Sequence, residues 1–144
     1  MIRHAGLVAL RLGGFWRGAL IEGPSGSGKS DLALRSLREG LSLVADDRVL
    51  LWTSGEALYG RAPDPLTGLL ESRGLGVLPN PAQPLARVVL AIRCEASAEA
   101  VERFPTDETL ELLGTVLPVR PLWPFDPAAP AKLSRALQHL GHGP

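Results

Sequence analysis

A single α/β domain, with a mixed β-sheet flanked by helices, is the fold class that this 144-residue sequence predicts. Three observations carry it. A glycine-rich turn, Gly23-Pro24-Ser25-Gly26-Ser27-Gly28-Lys29-Ser30, joins the apolar run Ala19-Leu20-Ile21 to a helix-like stretch. The segment Val88-Val89-Leu90-Ala91-Ile92 is apolar on both faces, as a strand buried inside a sheet must be. Strand-like runs outnumber helical ones, without the steady β-α alternation of a long doubly wound sheet. The length suits one domain spanning residues 1–144, able to bury roughly two-thirds of its unfolded surface.

The elements follow in order. Leu7 to Leu10 and Ala19 to Glu22 are short apolar strands, with Gly13-Gly14 between them. Asp31 to Glu39 is a helix with Leu32, Leu34 and Leu37 on its apolar side, ended by Gly40. Leu41 to Ala45 is a buried strand that runs into Asp46-Asp47. Val49 to Trp52 and Ala57 to Tyr59 form a hairpin turning at Ser54-Gly55. Arg87 to Arg93 is the strongest later strand, and Lys132 to Leu140 a closing helix with Leu133, Leu137 and Leu140 on one side. Proline-rich joints at 62–65, 79–81 and 118–130 are expected to be ordered loops. The bland alternative for Glu71 is the exposed end of a helical turn at Leu66 to Leu70.

Composition narrows the function classes. Fifteen basic and fifteen acidic side chains cancel, so no electrostatic argument favours nucleic acid or an anionic membrane as partner. The single cysteine, Cys94, excludes an internal disulfide, fits a reducing compartment, and closes an apolar run as a buried structural thiol. No stretch approaches a membrane span, and Met1-Ile2-Arg3-His4 does not open a signal peptide. The expectation is a cytoplasmic protein.

The residues from Gly23 to Ser30 match G-x-x-x-x-G-K-[ST], a phosphate-binding loop, and each part has a physical task. Gly23, Gly26 and Gly28 bring backbone N–H groups against phosphate oxygens with no Cβ in the way. Pro24, Ser25 and Ser27 complete the turn, and the helix after it adds the positive end of its dipole. Lys29 supplies a point charge for the terminal phosphates, and Ser30 a hydroxyl for Mg²⁺. A flexible Gly/Ser linker with an incidental lysine would lack this strand–loop–helix order. ATP with Mg²⁺ is the expected ligand set.

Asp46 and Asp47 form a second candidate site. An acidic residue that closes an apolar strand downstream of such a loop is where magnesium is held. Neighbours on a strand point to opposite faces, so the two carboxylates share no role unless the chain bends. One can face the metal while the other accepts a proton from an alcohol, which makes a kinase; a carboxylate that only orients water makes a hydrolase. Patterning leaves both open.

Laid out this way, the chain resembles the catalytic domain of bacterial HPr kinase/phosphorylase. The likeness rests on the loop followed by Asp31-Leu32-Ala33-Leu34, on Leu43-Val44-Ala45-Asp46-Asp47-Arg48-Val49, and on Leu58-Tyr59-Gly60-Arg61-Ala62-Pro63. Its most specific part is Leu70-Glu71-Ser72-Arg73-Gly74-Leu75-Gly76-Val77, similar to the family's own signature. The likeness covers about residues 4 to 120. It implies a P-loop domain of the HPr kinase/PEP carboxykinase type that uses ATP and Mg²⁺ to phosphorylate a serine of the phosphocarrier HPr in the phosphotransferase system, and that can reverse this by phosphorolysis.

Carried over by residue, the resemblance implies Lys29 on phosphate, Ser30 on Mg²⁺, Asp47 as proton acceptor and Asp46 supporting the metal. Glu71 matches an acidic Mg²⁺-associated position, and Arg73 to Gly76 a mobile loop near the phosphate and the protein substrate. Arg120 matches a catalytic arginine that offsets charge on the transferred phosphoryl, and His4 a histidine upstream of the loop. The departures imply a short form without an amino-terminal domain. Where Gly-Arg-Asn is expected after Arg120-Pro121, this chain has Leu122-Trp123-Pro124-Phe125, and it lacks the basic helix associated with dephosphorylation and subunit contacts. The kinase direction is therefore expected over the phosphorylase direction, while the family's homo-oligomer, a hexamer, would have to form without that helix. The rival readings are an ATP-binding regulatory module without transfer activity, and a small-molecule or PEP carboxykinase-like kinase.

Overall fold

The computed structural model describes residues 1–140. Among them are eleven strands and two α-helices: nine strands make a mixed sheet with the helices against one face, and the other two pair separately as a hairpin. The strands are Ile2–Arg3 (β1), Gly6–Leu12 (β2), Phe15–Glu22 (β3), Ser42–Ala45 (β4), Val49–Ser54 (β5) and Ala57–Arg61 (β6), then Leu69–Ser72 (β7), Gly76–Pro79 (β8), Ala86–Cys94 (β9), Glu108–Leu112 (β10) and Thr115–Leu122 (β11). The helices are Lys29–Ser36 (α1), extended by a 3₁₀ turn over Leu37–Glu39, and Ala129–His139 (α2). Among the described residues, no helix is long and apolar enough to cross a membrane.

The central strand is β9. One of its edges is filled along most of its length by β3, in parallel. The other edge is shared: β6 pairs antiparallel at Ala86–Arg87, and β11 takes over in parallel from Ala91 to Cys94. The main sheet runs β1-β5-β6-β9-β3-β2-β4, with β10 joined outside β11. Strand alternation sorts side chains onto two cores. Val8, Ala19, Ile21, Leu90 and Ile92 face Leu32 and Ala33 of α1 and Leu133 and Leu137 of α2. Leu7, Leu20 and Ala91 face the other way, onto Val49, Leu51 and Leu58 of the β5–β6 hairpin and Leu117 and Val119 of β11.

This topology gathers several chain breaks at one sheet end. The carboxyl ends of the parallel strands β3, β9 and β11 lie side by side, with Glu22 opposite Arg93 and Leu122 opposite Cys94. Strand β4 runs antiparallel to β2, with Ala45 opposite Leu7, so Asp46-Asp47 leave the sheet near the residues that lead into β2. The carboxyl edge of parallel strands is where α/β sheets bind ligands.

The expected segments from 7 to 59 and 87 to 93 form where the sequence places them, with longer strands and the hairpin turn shifted to Gly55-Glu56. Two of the proline-rich joints expected as loops are partly strand. Pro79 closes β8. The stretch 118–130 is not wholly loop, because β11 continues through Pro118 and Pro121 to Leu122. Each proline falls where only one neighbour pairs, Pro118 with Thr109 of β10 and Pro121 with Arg93 of β9, so its missing N–H leaves no gap in a two-sided ladder. The alternative of a helical turn at Leu66 to Leu70 does not hold: a 3₁₀ turn over Asp64–Leu66 is followed by the β7–β8 hairpin, which carries Glu71. Leu70 is fully buried against the helical core and anchors that hairpin.

Candidate active site

Between β3 and α1 the loop from Gly23 to Gly28 folds back on itself, with the Ser27 N–H donating to the Pro24 carbonyl at 3.1 Å. Gly28 precedes the helix at φ 101°, a conformation that side chains resist, and a Cβ there would lie 2.9 Å from the Phe125 ring. Gly23 is constrained by proximity instead: its Cβ would come within 2.9 Å of the Cys94 Cβ and 2.7 Å of Ser27 Oγ. Cys94 therefore forms the floor beneath the loop. Burial pushes its thiol up to about 11, against the opposing pull of Lys29 and Ser27, so it is an inert packing group.

Lys29 opens α1 and is nearly buried. Its Nζ donates to the carbonyls of Gly23 at 2.6 Å and Pro24 at 3.0 Å, which holds the ammonium over its own loop. One residue on, Ser30 Oγ donates to Asp46 at 2.8 Å and 3.0 Å from its two carboxylate oxygens. Asp46 is itself 8% exposed, and its Oδ2 also accepts the Glu71 N–H at 3.1 Å. Two neutral donors thus hold a buried carboxylate that has no ion-pair partner among the described residues.

The chain bends at Asp47. Its φ is 68°, and the Arg48 N–H donates to the Asp46 carbonyl at 2.8 Å, closing a three-residue γ-turn. A non-glycine residue in this region carries roughly 1–3 kcal/mol of strain. The bend removes the strand alternation that would have sent the two carboxylates to opposite faces, and both line the same cleft. Asp47 is half exposed, and both of its oxygens are engaged: His4 Nε2 lies 2.6 Å from Oδ1, and Arg48 Nη1 donates to Oδ2 at 2.9 Å.

The cleft that these residues line measures about 480 Å³, within the range of small-ligand sites. It brings together His4, Lys29, Ser30, Asp46, Asp47, Glu71 and Arg73, with Ser25, Gly26 and Gly28 of the loop. Arg73 enters from the β7–β8 turn, and Glu71 from β7 itself. Among the described residues, no three His, Cys, Asp or Glu side chains gather as a metal cage.

Arg120 does not face this cleft, contrary to expectation. Its guanidinium donates to Asp107 at 3.2 Å and to the Val119 carbonyl at 2.9 Å, and it lines a separate hollow beside Trp123 and Lys132. The reason is the strand that the prolines concealed: β11 carries Arg120 along β9, opposite Ile92, instead of releasing it into a loop. Three lining residues, Asp31, Leu34 and Phe125, are not among the expected site residues; Phe125 stands out in the sequence only as part of an unexpected tetrapeptide. Arg48, outside the lining, joins the site through Asp47, and its place directly after the acidic pair is the signal that points to it.

Comparison with known proteins identifies the family and the fold. Residues 4–82 match the family model described as the HPr Serine kinase C-terminal domain. The HPr kinase/phosphorylase of Polaromonas naphthalenivorans (strain CJ2) is 38% identical over 115 residues, covering 72% of this chain and 36% of its own. That of Clostridium tetani is 37% identical over 97 residues, or 67% of this chain and 32% of its own. The chain thus spans about a third of the length of these curated relatives. In fold, it superposes on the Hpr(Ser) kinase/phosphatase from Coxiella burnetii with a TM-score of 0.81 at 23% identity, covering 96% of this chain and 94% of that one. The family match contains the loop, the acidic pair and the Glu71–Arg73 segment, and on it the chain belongs to the HPr serine kinase C-terminal domain family.

Proposed function

We infer that this domain is a protein serine kinase, transferring the terminal phosphoryl group of ATP to a serine of HPr or a related phosphocarrier. The observation that carries the reading is the bend at Asp47, which turns a half-exposed carboxylate into the cleft of the phosphate loop at the cost of backbone strain. A residue that only capped a strand would have no need of it. A hydrolase needs no docking of a protein hydroxyl, whereas here the carboxylate stands at an open rim where a side chain from another protein can reach it.

The residues present fit magnesium and a triphosphate. Ser30 Oγ and the buried Asp46 carboxylate are hard oxygen donors in hydrogen-bond contact, and no competing cation pairs with Asp46 among the described residues. Mg²⁺ binds through one or two such groups, with phosphate and water completing its shell, so a full protein cage is not required. When bound, it neutralises charge on the phosphate oxygens. Lys29, pre-placed over the loop by the Gly23 and Pro24 carbonyls, exchanges those contacts for phosphate oxygens. Asp47 accepts the serine proton as the hydroxyl oxygen attacks the γ-phosphorus in line, the opposite bond to the bridging oxygen breaks, and ADP leaves. His4 and Arg48 act as positioning residues, fixing the carboxylate's orientation from both of its oxygens. Arg73, on the rim, supplies positive charge near the transferred group.

Incubation of the protein with γ-labelled ATP, Mg²⁺ and HPr tests this reading. Label on an HPr serine is the expected result. Release of labelled phosphate with HPr left unmodified would reject the kinase in favour of a hydrolase, and nucleotide binding without either would reject catalysis.

A further inference from the structure

Within a cleft lined mainly by charged groups and loop backbone, two lining side chains are apolar, Leu34 of α1 and Phe125. Phe125 is 48% exposed and, unlike the other exposed phenylalanines Phe15 and Phe104, lines the cleft. It is also held firmly. Arg35 donates to the carbonyls on either side of it, Pro124 through Nη2 and Asp126 through Nη1, the latter at 3.2 Å. The same guanidinium is pinned by Asp31 at 2.9 Å, so the segment is clamped onto the helix that begins at the phosphate loop. On its far side, Asp126 accepts the Ala128 N–H at 2.9 Å and pairs with Lys132 at 2.7 Å, tying the segment to α2. One edge of the ring touches Gly28, which has no side chain to obstruct it.

We propose that Phe125 is the platform on which the nucleotide's base stacks, and that it selects for a nucleoside triphosphate over a bare polyphosphate without reading the base edge. This rests on the triphosphate reading of the loop and adds to it a named subsite. A rigid aromatic face contributes stacking with little loss of conformational freedom, and every base has a π-face to offer. The polar groups flanking the ring are already engaged: both neighbouring carbonyls by Arg35, Asp126 by Ala128 and Lys132, and Asp31 Oδ2 by Arg35. Few groups remain there to hydrogen-bond a purine edge, so adenine and guanine are treated alike. The platform lies in the segment Trp123-Pro124-Phe125.

The test is calorimetric titration of wild type, Phe125→Ala and Phe125→Trp with ATP, GTP and inorganic tripolyphosphate, each with Mg²⁺. Wild type is expected to bind ATP and GTP within about fivefold of each other, and tripolyphosphate more weakly, as stacking without edge recognition requires. Phe125→Ala should weaken both nucleotides roughly 5- to 150-fold, the range that base–aromatic stacking is worth, and leave tripolyphosphate unchanged. Phe125→Trp should bind like wild type. Equal losses for nucleotide and tripolyphosphate, unchanged nucleotide affinity in Phe125→Ala, or a wild-type preference for ATP beyond about a hundredfold would overturn the proposal. Wild type that binds tripolyphosphate while Phe125→Ala keeps full ATP affinity refutes the base platform alone. Wild type that binds none of the three refutes the phosphate-loop reading with it.

Discussion

Replacing Asp47 by glycine separates the two things this residue could be doing. If its carboxylate serves chemistry, the fold gains little from it. Glycine relieves the left-handed backbone at φ 68°, worth about 1–2 kcal/mol for an L-residue. Against that stand roughly 0.5–1 kcal/mol of extra unfolded-chain entropy and the loss of two exposed ion pairs, to His4 and Arg48, of about 0.2–1 kcal/mol each. The terms nearly cancel, and Asp47→Gly should lie within about 1 kcal/mol of wild type in urea unfolding followed by tryptophan fluorescence. Serine phosphorylation of HPr should fall by about 10²–10⁴, the usual contribution of a positioned base. A stability loss above about 2 kcal/mol would make Asp47 a structural residue, outside the range of exposed pairs. Transfer within tenfold of wild type would remove it from the chemistry.

Asp46→Ala should behave in the opposite way, losing about 1–3 kcal/mol because the Ser30 hydroxyl and the Glu71 N–H lose their buried acceptor; wild-type stability in urea would contradict this. Cys94 should resist alkylation at pH 8 in the native state and react on unfolding. Its folded pKa lies above the unfolded one, so its contribution to stability is complete below about pH 9 and is lost as pH rises through about 11; rapid native labelling would show that the thiol is not sealed beneath the loop. Arg120→Ala should leave ATP affinity within about twofold, since the side chain lines another hollow. A tenfold loss would bring Arg120 back to the nucleotide.

Much of the site was legible because its signals are local. Strand, glycine turn, lysine and helix are contiguous from Ala19 to Leu37, and their geometry depends on little else. The Asp46–Ser30 contact could be anticipated from residue types at the ends of neighbouring elements. The bend at Asp47 could not, since nothing in Ala45-Asp46-Asp47-Arg48 forces φ 68° and the surrounding contacts impose it. Strand β11 was hidden by Pro118 and Pro121, which local rules read as loop until the staggered pairing of β9 and β10 is known. The β7–β8 hairpin was hidden in another way: only Leu70 and Ser72 of its eight strand residues are buried, so it lacks a sustained apolar pattern. The position of Arg120 beside β9 follows from that same concealed strand, and nothing local in Trp123-Pro124-Phe125 signals that Phe125 lines the cleft.

The claim on which the rest depends is that the loop from Gly23 to Ser30 holds a triphosphate beside Asp47. Calorimetric titration of Mg·ATP into wild type, Lys29→Ala and Asp47→Asn tests it most directly. Wild type should show one site, Lys29→Ala should lose it, and Asp47→Asn should keep nearly unchanged affinity while losing transfer to HPr. Undiminished binding by Lys29→Ala, or none by wild type, would contradict it.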